Sequence, residues 1–262
     1  MIRVCEGLLK RRIKNNDVLL SATILDSRSP AVMEVYEAAG YDMALIDREH
    51  SALNSETIAD LVRVARCLGF PVMVRAAEDC YHEINRILDQ GPDGIFVPRI
   101  KSREQVEKIV RMVRYQPLGI RGFAGSSCPI GKYACWDKPQ DQIEAVNNNT
   151  VIGIQIETQE ALDNLDDILS VEGVDVAVIG NDDLSMNMGL VGQTKGTKYI
   201  ETVERIFEAC NRHGVLPGIA VGDPETTVFW INKGAKMIWY ACDIYMLYAA
   251  SKRELGIIRE QI

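Results

Sequence analysis

The chain has no CxxC pair, although it carries seven cysteines: Cys5, Cys67, Cys80, Cys128, Cys135, Cys210 and Cys242. An odd count without close pairs excludes a disulfide framework and a zinc ribbon. A reducing cytoplasm is therefore the expected compartment. Basic runs are also missing, and the formal net charge is -8. That balance argues against a nucleic-acid partner. No apolar run approaches the roughly 20 residues of a membrane span, so no membrane partner is expected. The first fifteen residues carry Arg3, Glu6, Lys10, Arg11 and Arg12 and lack the apolar core of a signal peptide. No composition break or low-complexity tract divides the 262 residues, so one domain over 1–262 is expected.

The composition is that of a soluble globular protein, 47% hydrophobic and 25% charged. A short amphipathic helix is predicted over 3–15, with Val4, Leu8, Leu9 and Ile13 on one side. Apolar runs predict strands at 18–25, 43–47, 72–75, 95–98, 151–157, 174–180, 216–221 and 236–241. Helices are predicted between them: from Pro30 to the stop at Gly40, over 55–68 with Ser55 as N-cap, over 80–90, and from Ser102. Others are predicted over 160–169, 198–212 and 224–233, and a last one from near Asp243. The segment from about 116 to 140 shows no pattern, and a loop of that length is usually functional or mobile. Eight strands alternating with helices predict an α/β fold, a single (β/α)8 barrel with an extra N-terminal helix. An open doubly wound sheet is the runner-up. When such a sheet binds a nucleotide its first turn is glycine-rich, whereas strand one is followed by Asp26-Ser27-Arg28-Ser29.

In a barrel the site lies at the C-terminal ends of the strands. Those ends bring Asp47, Glu49 and His50 after strand two, Arg75 at strand three and Arg99 after strand four. Strand five ends in Gln155 and Glu157, whose spacing of two puts both on one face. Asp182 and Asp183 follow strand six, Asp223 strand seven and Asp243 strand eight. Carboxylates at the ends of neighbouring strands predict a site for Mg²⁺ or Mn²⁺ with positions open to substrate. An arginine there suits a carboxylate. Imidazole is the side chain that titrates near neutral pH and moves protons, and of three histidines only His50 lies at a strand end. Plainer readings stand beside these. Glu157 and Asp183 also suit helix N-termini, Asp243 suits a cap of the last helix, and Arg48 suits an outward surface position. Arg99, Asp223 and Glu49 remain undecided. A Schiff-base route needs a lysine at a strand end; Lys236 opens strand eight and Lys101 lies beyond strand four, so that route is disfavoured.

The ordered set Tyr41-Asp42-Met43-Ala44-Leu45-Ile46-Asp47-Arg48-Glu49-His50, Val74-Arg75, Gly94-Ile95-Phe96-Val97-Pro98, Arg114 to Gly122, Gln155-Ile156-Glu157-Thr158 and Ile179 to Ser185 resembles the HpcH/HpaI aldolases, metal-dependent pyruvate aldolases related to the citrate lyase β-subunit. The resemblance runs from about residue 8 to residue 250. It implies Glu157 and Asp183 as metal ligands and Arg75 as the residue that binds pyruvate and stabilises its enolate. Gln155 contacts the same acid, and the backbone amides of Asp182 and Asp183 hold its carboxylate. His50 is the implied acid/base through metal-bound water, Asp47 supports it, and Asp89 is implied to reach that histidine across a subunit contact. A homo-oligomer, commonly a hexamer with its last helix exchanged, is also implied. The expected reaction cleaves a 4-hydroxy-2-oxo acid to pyruvate, or a close 2-oxo acid, and an aldehyde. Other enolate chemistry, condensation or decarboxylation, and a non-catalytic metabolite-binding barrel are the alternatives. Arg48, Ala76-Ala77, Asn181 and Arg99 depart from the family's usual residues and concern the second substrate.

Overall fold

The computed structural model describes residues 7–131 and 138–262. Residues 3–6 of the predicted first helix, Cys5 and Cys135 therefore lie outside the described residues. The chain runs α1 (Leu8–Lys14), β1 (Leu19–Ile24), α2 (Ala31–Ala39), β2 (Met43–Asp47), α3 (Ser55–Leu68), β3 (Val72–Arg75), α4 (Tyr81–Asp89), β4 (Gly94–Val97), α5 (Arg103–Val113), α6 (Pro139–Asn149) and β5 (Val151–Ile156). It continues with α7 (Gln159–Asp163), α8 (Leu165–Leu169), β6 (Val176–Ile179), α9 (Asn181–Asn187), α10 (Thr197–His213), β7 (Leu216–Val221), α11 (Pro224–Asn232), β8 (Met237–Cys242) and α12 (Asp243–Arg259). The strands close in sequence order into a parallel barrel, with β1 paired to both β2 and β8. No helix among the described residues is long and apolar enough to cross a membrane.

The two-residue period of a strand sorts the side chains. Outward residues such as Ile24, Ile46, Val74, Ile154 and Ile179 pack under the helices in the larger apolar cluster. Inward residues form a second cluster, with Leu19, Met43, Leu45, Met73, Phe96, Val151, Val178 and Met237 filling the barrel. Leu9 and Ile13 of α1 belong to that interior cluster and are buried, so this helix plugs the N-terminal end. Leu8, expected beside them, is instead 43% exposed.

Side chains cap the starts of α3, α5, α7 and α11. Ser102 accepts the Gln105 N–H and Asp223 accepts the Thr226 N–H. The cap of α3 is Asn54, which accepts the Thr57 N–H at 2.9 Å; Ser55 is the first helical residue rather than the cap. Asp223, undecided from sequence, is thereby a helix cap. Three further differences concern helices. The predicted 160–169 helix breaks at Asn164 into α7 and α8, while α6 and α9 were not anticipated at all. Within 116–131 the chain forms only two single 3-10 turns, Gly125–Ser127 and Pro129–Gly131.

Candidate active site

The inward parity of three strands carries polar residues to one mouth. Leu45 is followed two places on by Asp47, Met73 by Arg75, and Gly153 by Gln155. Arg75 is buried, and a buried guanidinium must find acceptors. It donates from Nε to Asp47 Oδ1 at 3.0 Å and from Nη2 to Asp47 Oδ2. Its Nη1 donates to Gln155 Oε1 at 3.3 Å and lies 2.9 Å from Glu49 Oε2. The Trp239 ring, with its centre 5.5 Å from the guanidinium carbon, forms the adjoining wall. Asp47 Oδ1 also accepts the backbone N–H of Glu49 at 2.9 Å and of His50 at 3.3 Å. One carboxylate therefore shapes the turn that carries the histidine and orients the arginine. His50 stands at the opening with its side chain 60% exposed, and its Nε2 is 3.8 Å from Glu49 Oε2.

Glu157 lies deeper, almost fully buried. Its Oε1 accepts the Arg99 N–H at 2.8 Å, and its Oε2 accepts Nε2 of Gln155. Burial pushes its pKa up to about 7; the Arg99 N–H opposes this, while Asp183 and Glu49 add to it. Burial also raises Glu49, against the opposing pull of Arg75. Neighbouring Gly180 makes this crowding possible. A Cβ there would meet Glu157 Oε2 at 2.3 Å and Gln155 Nε2 at 2.5 Å. Asp183 sits in the first turn of α9, with Arg99 Nη1 3.9 Å away. Asp47, His50, Arg75, Gln155, Asp182 and Asp183 all line one cavity of about 500 Å³.

Among the described residues, no cluster of three or more His, Cys, Asp or Glu forms a ready metal cage. The donor set nonetheless fits a hard divalent cation. Glu157 is a carboxylate held toward neutrality by burial, Asp183 faces it from the next strand end, and oxygen donors suit Mg²⁺ or Mn²⁺.

The model of the HpcH/HpaI aldolase/citrate lyase family matches residues 22–250. The chain belongs to this family. It is 30% identical over 219 residues to the 4-hydroxy-2-oxo-heptane-1,7-dioate aldolase of Escherichia coli, covering 84% of this chain and 82% of that protein. It is also 30% identical over 247 residues to a hydroxypyruvate/pyruvate aldolase of Roseovarius nubinhibens, covering 94% and 95%. Among solved structures, an HpcH/HpaI aldolase from Desulfitobacterium hafniense superposes with a TM-score of 0.91 at 30% identity over 96% of each chain. The citrate synthase SbnG superposes at 0.86 with 32% identity over 98% of this chain and 99% of that one. The chain is thus a carbon–carbon lyase of aldolase type, and the reading as a non-catalytic barrel falls away.

The plainer readings divide. Glu157 caps no helix, since Thr158 is the N-cap of α7 and accepts the Ala161 N–H. Asp183 is not a cap either; Gly180 holds that position before α9. Asp243 is not the cap of the last helix, a position held by Cys242, but it serves structure in another way: its carboxylate accepts the N–H groups of Leu25, Asp26, Ser27 and Ile244. Arg48 neither points outward nor enters the cavity. Its Nε lies 3.0 Å from Glu83 Oε1, and Nη1 donates to Ser55 at 3.2 Å. Asp89 stays apart from the mouth, where it accepts from Arg121 Nη2 at 2.9 Å and Asn85 Nδ2 at 3.3 Å. His82 and His213 are exposed. Sequence reasoning missed Trp239 and Thr23 as wall residues. Their inward parity on β8 and β1 was the available signal.

Proposed function

We propose that the chain cleaves a 4-hydroxy-2-oxo acid to pyruvate, or a close 2-oxo acid, and an aldehyde, with Glu157 and Asp183 holding Mg²⁺ or Mn²⁺. The observation that carries this is Arg75, fixed by Asp47, Glu49 and Gln155 beside those two carboxylates. Three of its five N–H groups donate, two to Asp47 and one to Gln155, and Nη1 also pairs with Glu49, which leaves an N–H on Nη2 for an oxygen of the oxo acid. A divalent cation bound there supplies Lewis acidity toward the 2-oxo group. Arg75 and Gln155 orient that acid and stabilise charge as it develops on the oxygen. His50, at the opening, takes the proton of the 4-hydroxyl. The C3–C4 bond then breaks, its electron pair moves toward the 2-oxo oxygen, and the aldehyde leaves. A proton returns to C3 of the enolate. Asp47, with both oxygens on Arg75, is the orienting carboxylate.

The same enolate adding to another carbonyl is the second reading, and the likeness to a citrate synthase favours it. Two further inferences concern state. Cys67, Cys80, Cys210 and Cys242 are free thiols, in keeping with the expected reducing cytoplasm. α12 has no buried residue, and Leu247, Tyr248 and Ile258 are more than half exposed, which supports a homo-oligomer that covers this helix. In such an assembly Asp89 would serve His50 of a neighbouring copy. Light scattering on the eluting protein measures the assembly, and a monomer at micromolar concentration refutes it.

The enzymatic test is deuterium exchange into the methyl group of pyruvate in D₂O, with Mg²⁺, with Mn²⁺ and with chelator. Cation-dependent exchange is expected in wild type and its loss in Arg75→Ala and Glu157→Ala. No exchange with any cation would sink the pyruvate reading.

A further inference from the structure

Arg99 follows Pro98 at the end of β4, and its backbone is left-handed, with φ 55°. A residue with a Cβ holds that conformation only when its surroundings impose it, and such strain gathers at functional sites. Here the turn has two effects. It aims the Arg99 N–H at Glu157 Oε1, 2.8 Å away, so the backbone is anchored inside the site. It also leaves the side chain at the rim, 58% exposed, with Nη1 3.9 Å from Asp183 Oδ1. That separation is a loose ion pair, not a hydrogen bond, so the guanidinium keeps its donors for something else.

Two other cations near the mouth are committed. Arg75 is held by Asp47, Glu49 and Gln155, and Arg48 by Glu83 and Ser55. The cavity wall beside Arg99 is acidic, with Asp182 and Asp183. An anionic reactant approaching it is repelled unless a cation meets it. The geometry points to Arg99 as the residue that selects the second reactant, by binding an anionic group, a carboxylate, at the end of the aldehyde remote from its carbonyl carbon. This rests on the aldol reading above and names the class of electrophile for it. The planar fork suits a carboxylate bidentately, and the anchored backbone limits where the fork can reach. A cation shared by Glu157 and Asp183 would satisfy Asp183 and free the guanidinium for that role.

The test compares succinic semialdehyde with butanal, the same four-carbon chain without the carboxylate, as acceptors for pyruvate. Wild type, Arg99→Gln and Arg99→Lys are measured, with Arg28→Gln as control, since Arg28 is exposed on the loop after β1. Wild type should favour succinic semialdehyde in kcat/KM by about tenfold or more, the range of a hydrogen-bonded charge pair. Arg99→Gln should collapse the ratio, chiefly through KM for succinic semialdehyde. Arg99→Lys should keep part of it, and Arg28→Gln all of it. Raised ionic strength should shrink the wild-type ratio, because an exposed guanidinium is screened. A ratio near one in wild type, a ratio retained in Arg99→Gln, or one lost in Arg28→Gln overturns the assignment while pyruvate exchange stands. Absence of exchange in wild type overturns the aldol reading and this assignment together.

Discussion

The lower and upper halves of the barrel interior come from the same strands, yet their chemistry is opposite. Below, Leu19, Met43, Met73, Phe96 and Val151 pack with Leu9 and Ile13 into an apolar plug. Above, Asp47, Arg75, Gln155 and Glu157 are just as buried and all polar. One step of the pleat separates the two on β3, from Met73 to Arg75. The plug makes the upper layer what it is. It excludes water from beneath, so charges above it interact through a low dielectric. Hence Arg75 is engaged by three side chains, and Glu157 titrates near neutrality instead of in the carboxylate range.

The sharpest way to break this contrast is to remove the cation of the upper layer. Arg75→Met leaves the carboxylates of Asp47 and Glu49 buried without their partner. Unfolding by urea should show a loss of about 3–5 kcal/mol, and pyruvate exchange should fall by about 10²–10³. A loss below about 1 kcal/mol would mean that water reaches the upper layer after all. Next comes Glu157. Its folded pKa of about 7 lies above the ordinary glutamate value of 4.5, so between those values the folded protein binds more protons than the unfolded chain. Stability of the chelator-treated protein should therefore fall as pH rises through that window, by at most about 3 kcal/mol. Glu157→Gln should flatten the profile, and Mn²⁺ should restore wild-type stability at its upper end. A wild-type profile that is flat or rises there would show Glu157 to be solvated or already paired. The smallest effect belongs to the lower layer. Ile13→Val should cost about 0.5–1.5 kcal/mol and leave exchange unchanged, and altered exchange would show that the plug and the mouth are coupled.

Where an apolar run has turn residues at both ends, the sequence was enough. β2, β3 and β7 fall on the residues expected, because apolar runs bounded by turn residues leave little freedom in register. The same parity identified Gln155 and Glu157 as neighbours, and their side chains are in contact. What escaped were features set by tertiary contact. α9 starts at Gly180 without a side-chain cap, and three glycines follow it at 189, 192 and 196, so its seven residues read as loop. α6 has only Ile143, Ala145 and Val146 as apolar residues among Gln, Asn, Asp and Glu, too few for a visible stripe. Glu49 and Arg48 lie on one turn. Which of them faced inward depended on Asp47 holding that turn and on Glu83 of α4 taking Arg48, and neither contact is local. Arg99 was undecided for the same reason, since a left-handed backbone at a non-glycine residue has no signature in a single sequence.

Asp243 accepts amides from Leu25, Asp26 and Ser27, more than two hundred positions earlier in the chain. It opens the last helix, directly after the strand that pairs with the first. The first loop of the mouth is therefore fastened by a residue synthesised more than two hundred positions after it. While the chain is still growing, that loop has neither its neighbouring strand nor its carboxylate clamp. The reactive face is in this sense assembled only once β8 has been made, and a chain stopped before β8 contains Arg75, Glu157 and Asp183 but no closed ring to hold them.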